Sequence, residues 1–181
     1  MADTRPGRAR PRRCESAGAS SIQAWLFVGG QGAVEEEELQ RHDISCILSC
    51  CERIVLPPWT TNHLANMRDS AEEKLEPFLQ DSLCFLREAK AAQQKCLVAC
   101  HAGSSRSVSL VLAYLVVEEG MSLHDAWDLV RRLRSGAQPN RNFALQLIDL
   151  DRAVHGVTCV TLADLGFDEE EPFATTPPSE A

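Results

Sequence analysis

Cys100 and Arg106 stand at the two ends of a loop in "VACHAGSSRS", residues 98–107, with one histidine and four small residues between them. A cysteine attacks as its thiolate, and an arginine presents a planar fork of donors that matches two oxygens of a phosphoryl group. At opposite ends of so short a loop, the pair suits capture of a phosphate ester followed by attack on phosphorus. Ala102, Gly103, Ser104 and Ser105 leave the backbone room to curl until the N–H groups of His101 through Arg106 point at one anion. Cys-x5-Arg alone is a weak pattern, and its plain reading is a core cysteine before a Gly-Ser turn. Cys-x2-Gly-x2-Arg-Ser between an apolar strand and an apolar helix is far more specific.

The flanking segments supply that setting. "CLVAC" (96–100) is a short apolar strand, and "SVSLVLAYLVVEEG" (107–120) is apolar nearly all round, as befits a central buried helix ended by Gly120. The loop therefore joins the C-terminal end of a strand to a helix N-terminus. Unpaired N–H groups and the helix dipole there attract anions and favour a thiolate at Cys100. Ligands of α/β sheets bind at such ends.

Upstream, "IQAWLFVGG" (22–30) has the pattern of an opening strand closed by two glycines, "AVEEEELQRHD" (33–43) that of a polar helix, and "ISCILSCC" (44–51) that of a buried strand. "PPWTTN" is a turn-rich connection. "HLANMRDSAEEKL" (63–75) passes from a short strand into an acidic loop, and "EPFLQDSLCFLREAKAAQQ" (76–94) has helical periodicity. Beyond the buried helix, Ser122 and Asp125 form a capping-box pattern before a second helix, and "PNRNFALQLIDLDRAVHG" (139–156) gives a last one closed by Gly156. Alternating strands and helices predict an α/β fold: a central, mainly parallel twisted sheet flanked by helices.

From Ile22 to Val154 the chain resembles the cysteine-dependent protein tyrosine phosphatases, and more closely the small atypical dual-specificity phosphatases. The loop motif carries this likeness together with "AYLVVEEGMSLHDAWDLVRRLRSGAQPNRNFALQL" and its Pro-Asn before the final helix. The resemblance implies Cys100 as nucleophile, Arg106 and the N–H groups of residues 101–106 as the phosphate site, and Ser107 as the aid to departure of Cys100. It also implies a general acid on a separate loop. Asp69, 31 residues before Cys100, occupies the matching place, with Glu72 and Glu73 as competitors. One departure stands out: the family has histidine immediately before the nucleophile, and this chain has Ala99. Loss of that histidine's hydrogen bonds implies a less ordered loop and reduced activity. His101, on the other side of Cys100, reads as an exposed loop residue rather than a replacement.

Composition bounds the rest. The 181 residues fit one ordinary domain, with no ~20-residue apolar span and no secretory leader pattern. Eight cysteines without paired zinc knuckles point to a reducing interior, cytoplasmic or nuclear, with no metal and no other cofactor. Residues 1–20 hold five arginines against Asp3 and Glu15 and read as a disordered basic tail. Residues 157–181 hold six acidic residues and no basic one, with Pro and Thr, and read as a second disordered tail. The catalytic domain is then 21–156.

A mildly acidic body with no Lys or Arg other than Arg106 between residues 96 and 130 argues against a nucleic-acid groove, a membrane surface and a strongly basic substrate pocket. The expected partner is a phosphoprotein, with kinases among the candidates; the oligomeric state is not legible. The expected activity is hydrolysis of phosphotyrosine and phosphoserine or phosphothreonine through a cysteinyl-phosphate. The rivals are a phosphate-binding pseudophosphatase and a phosphatase of phosphoinositides or RNA 5′-phosphates. Cys50 and Cys51, which end their strand beside "CLVAC", are candidate redox partners of Cys100, with inert core cysteines as the alternative.

Overall fold

The computed structural model describes residues 18–168. Most of the basic tail and residues 169–181 of the acidic tail lie outside them.

Five strands form one sheet in the order β1 (Ser20–Ser21), β2 (Leu26–Gly29), β5 (Lys95–Ala99), β3 (Ile44–Ser49) and β4 (Thr61–Leu64). Every neighbouring pair is parallel except β1 with β2. The α/β fold expected from the alternating pattern is the one observed. β5 lies at the centre, so residue 100 leaves the sheet between the ends of β2 and β3.

Side-chain alternation divides the core into two layers. Leu26, Val28, Leu48, Val98 and Cys100 belong to the larger one, shared with α2 (Glu76–Ala91), α3 (Arg106–Val117), α4 (Leu123–Leu133) and α5 (Arg141–His155). Phe27, Ile47, Leu97 and Ala99 belong to the smaller one, covered by α1 (Glu36–His42). The register shift between Ile44 and Cys46 puts Ile44 on the α1 side, out of simple alternation. In α3 every residue from Ser107 to Val116 is buried, as the all-round apolar sequence requires.

Local capping follows the sequence closely. Ser122 Oγ accepts the Asp125 N–H at the start of α4, Asn140 Oδ1 accepts the Phe143 N–H at the start of α5, and Gly156 ends α5 at φ +78°.

Three differences have physical causes. Residues 22–25 form a turn rather than strand, because Leu26 is the first residue of β2 to find a partner in β5, Cys96. The fourth strand begins at Thr61 rather than at His63, as an edge strand paired on one side only. The tail boundary expected at residue 157 is corrected for residues 157–168. Val160 and Leu165 are buried, and Asp164 O and Leu165 O accept hydrogen bonds from Trp127 Nε1 and Gln138 Nε2, so this stretch covers α4.

Candidate active site

What shapes the loop between β5 and α3 is the direction of its carbonyls. Gln31 N–H donates to His101 O at 3.0 Å, Arg134 donates to Ala102 O and Gly103 O, and Gln138 N–H donates to Ser104 O at 2.8 Å. Across a trans peptide, a C=O and the next residue's N–H point opposite ways. Holding the carbonyls of 101–104 outward therefore turns the N–H groups of 102–105 inward, and that of Gly103 reaches Cys100 Sγ at 3.2 Å. The result is an anion nest at the N-terminus of a 12-residue buried helix.

Glycine at 103 is required twice. Its φ is +67°, and a Cβ there would lie 2.4 Å from Gly29 C and Gly30 N, at the end of β2. The "VGG" that closes the first apolar run thus lets the loop pass close against the sheet edge.

Cys100 and Ser107 are both buried, with Sγ and Oγ 3.2 Å apart. Arg106 donates from Nη1 to Met67 O at 3.3 Å, and its Nε lies 3.7 Å from Asp69 Oδ2 without a hydrogen-bond partner of its own. Asp69 Oδ1 accepts from Ser105 Oγ at 2.7 Å and from Asn140 Nδ2 at 2.8 Å. The structure therefore brings together Cys100, Arg106, Ser107, Asp69 and the whole of loop 101–106. A cleft of about 420 Å³ opens above them, with Asp69, His101 and Arg106 in its wall.

The competing acids stand elsewhere. Glu73 accepts from Arg68 N and Nε at 2.8 and 3.2 Å, and its own carbonyl accepts from Asn142 and Gln146. The Arg68 backbone N–H, foremost, holds its carboxyl below the ordinary value of 4.5. Glu73 thus ties the acid loop to α5. Glu72 is exposed, and neither residue lines the cleft.

Ala99 is fully buried in the α1-side layer with Phe27, Ile47 and Leu97, and its partner on β3 is the buried Ser49, whose Oγ donates to Cys51 O. Cys50 shares the larger layer with Cys100, and its backbone N–H donates to Ala99 O at 2.8 Å, whereas Cys51 belongs to the opposite layer. Burial first, and then the neighbouring Cys100, push the Cys50 thiol well above its usual value. Among the described residues no three His, Cys, Asp or Glu side chains converge as metal ligands would.

Two participants escape a reading of the sequence. Asn140 caps α5, donates Nδ2 to Asp69, and donates its backbone N–H to Ser105 Oγ at 3.0 Å, joining the acid loop, the phosphate loop and a helix. The Pro-Asn before the final helix marks its position but only as a cap. Arg134 is 1% exposed and grips the loop from behind while also bonding Gly18 O and Ser20 Oγ. Nothing in "VRRLRSG" sets it apart from Arg131 and Arg132. The expectation of no basic surroundings is also corrected: Arg53 and Arg68, remote in sequence, line the cleft beside Arg106.

The pattern of the dual specificity phosphatase catalytic domain matches residues 26–153. Dual specificity protein phosphatase PHS1 of Arabidopsis thaliana is 33% identical over 144 residues, 76% of this chain and 16% of that protein. Human dual specificity protein phosphatase 16 is 33% identical over 145 residues, 78% of this chain and 22% of that protein. The chain thus spans a quarter or less of these curated relatives. The crystal structure of human DUSP28 superposes with a TM-score of 0.72 at 28% identity, over 76% of this chain and 95% of that one. With a matched pattern running from β2 into α5 and the phosphate loop at its centre, the chain belongs to the dual specificity phosphatase family, within the cysteine-dependent protein tyrosine phosphatases.

Proposed function

We propose that the chain hydrolyses phosphotyrosine and phosphoserine or phosphothreonine on proteins, through a cysteinyl-phosphate at Cys100. The observation that carries this reading is the inward-turned loop, with Gly103 N–H and Ser107 Oγ both on the Cys100 sulfur.

The N–H groups of 101–106 and the Arg106 guanidinium bind the three non-bridging oxygens of the phosphoryl group. The Cys100 thiolate attacks phosphorus in line, so that the S–P bond forms as the P–O bond to the side-chain oxygen breaks. Asp69 gives that oxygen its proton. Water then attacks the cysteinyl-phosphate and loses a proton to Asp69, while Ser107 Oγ donates a hydrogen bond to the departing sulfur. Ser105 and Asn140 hold Asp69 on Oδ1, which leaves Oδ2 on the Arg106 side for proton transfer. Attenuation by Ala99 is part of the proposal, since an alanine offers the loop no hydrogen bond.

The experiment is a burst assay with p-nitrophenyl phosphate, followed by a phosphopeptide panel with phosphoinositide and 5′-phosphorylated RNA arms. Release of p-nitrophenol by the unaltered protein and none by Cys100→Ser supports turnover. Phosphopeptide binding without release by the unaltered protein makes it a pseudophosphatase. Selective turnover of lipid or RNA overturns the protein-substrate reading.

A further inference from the structure

Three guanidiniums, those of Arg53, Arg68 and Arg106, line the active-site cleft with two carboxylates, those of Glu52 and Asp69. Most of these charges are engaged. Arg106 bonds Met67 O and faces Asp69. Arg68 is bonded to Glu73, and Glu52 accepts from Asn66. Arg53 is exposed and makes no hydrogen bond or ion pair with any described residue.

The position of Arg53 follows from the sheet. Ser49 pairs with Ala99, and the Cys50 N–H donates to Ala99 O, so the chain after β3 leaves on the same edge as the phosphate loop. From two residues beyond Ser49 it lines the cleft wall, as Cys51, Glu52 and Arg53. A chain with a net charge of −8 thereby presents an uncommitted cation beside its phosphate site.

We propose that Arg53 forms a second anion subsite, which reads a carboxylate or a second phosphate near the phosphorylated residue of the same peptide. This rests on the phosphopeptide reading above. A guanidinium suits both anions through paired N–H donors, and a phosphate, with its greater charge, engages it more strongly than a carboxylate. Arg53 is a specificity-determining residue: it meets the substrate's flank, not the atoms that react.

The test measures binding of the full-length Cys100→Ser protein to three series of phosphotyrosyl peptides: neutral flanks, one glutamate moved stepwise along the sequence, and one phosphoserine moved likewise. Calorimetric titration keeps the result independent of turnover. The expected result is a preference of about 1.5- to 5-fold for an anion at one particular position, as exposed charge pairs give, falling as salt is raised. In Arg53→Glu the preference disappears or reverses, and in Arg53→Lys it persists in weakened form. An anion preference equal in Arg53→Glu and in the parent overturns the proposal, as does no preference at any position. If the neutral phosphopeptide fails to bind at all, the phosphopeptide reading falls with it, whereas binding of that peptide without an Arg53-dependent preference removes the subsite alone.

Discussion

Ser105 Oγ donates to Asp69 Oδ1 at 2.7 Å across 36 residues of sequence, and so fastens the acid loop to the phosphate loop. Because Asn140 donates to the same oxygen from α5 and to Ser105 through its backbone, three separate segments fix where the carboxyl points.

With Asp69 as the proposed general acid, this arrangement gives Asn140 the part of a positioning residue. Asp69→Asn is expected to slow alkyl phosphates by ~10²–10⁴-fold and activated aryl phosphates far less. Asn140→Ser keeps a helix cap but loses the bond to Asp69, so it should slow the same poor leaving groups, by less, with little loss of stability. Asn140→Ala adds about 1 kcal/mol of lost capping. A plot of rate against leaving-group pKa checks both, and equal slopes for Asn140→Ser and the parent would remove Asn140 from this role.

Oxidation distinguishes the two cysteines at the end of β3. Cys100 sulfenic acid, formed by peroxide, condenses with a facing thiol to give a disulfide and water. Alternation places Cys50, not Cys51, in the same layer as Cys100. Peptide mapping after mild peroxide should show a 50–100 link and none to 51. Its formation should be slow, because the raised Cys50 thiol resists becoming a thiolate. Sulfinic Cys100 with no link, even at low peroxide, counts against the pairing.

Replacement of Ala99 tests where loop order comes from. Ala99→His should raise turnover of p-nitrophenyl phosphate if the missing histidine attenuates the enzyme, and should lower thermal stability, since overpacking a filled site costs about 1–3 kcal/mol. Arg134→Lys retains the charge but loses the fork that holds Ala102 O and Gly103 O, and is expected to reduce turnover. An unchanged or lower rate in folded Ala99→His, with a loss in Arg134→Lys, would assign loop order to Arg134.

Acid should loosen the acid loop through Glu73. Its carboxyl titrates below 4.5 in the folded state, chiefly because of the Arg68 N–H, so its contribution is full above that pH and is lost as pH falls through the lower, folded value. Hydrogen exchange should show the protection factor of the Arg68 amide falling below about pH 4.5. Glu73→Gln should lack that step, and a step of equal size in the variant would place its origin elsewhere.

The sequence by itself determined the make-up of the loop and the order of the elements. Small residues between Cys100 and Arg106, an apolar strand before them and an all-apolar helix after them are local properties, and local properties persist wherever the chain folds. Caps at Ser122 and Gly156 are legible for the same reason: each side chain or backbone angle serves residues within one turn. Asp69 was legible only through the family resemblance, as the residue at the matching place before Cys100, and what holds it was not legible. Only the tertiary structure decided that Asn140 reaches Asp69, that Arg134 turns the loop carbonyls outward, and that Arg53 stands in the cleft wall. These contacts join residues 31 to 71 positions apart or lie on different strands' ends. No periodicity links such positions, because the parallel sheet, by crossing over through helices, sets which chain ends meet at one edge.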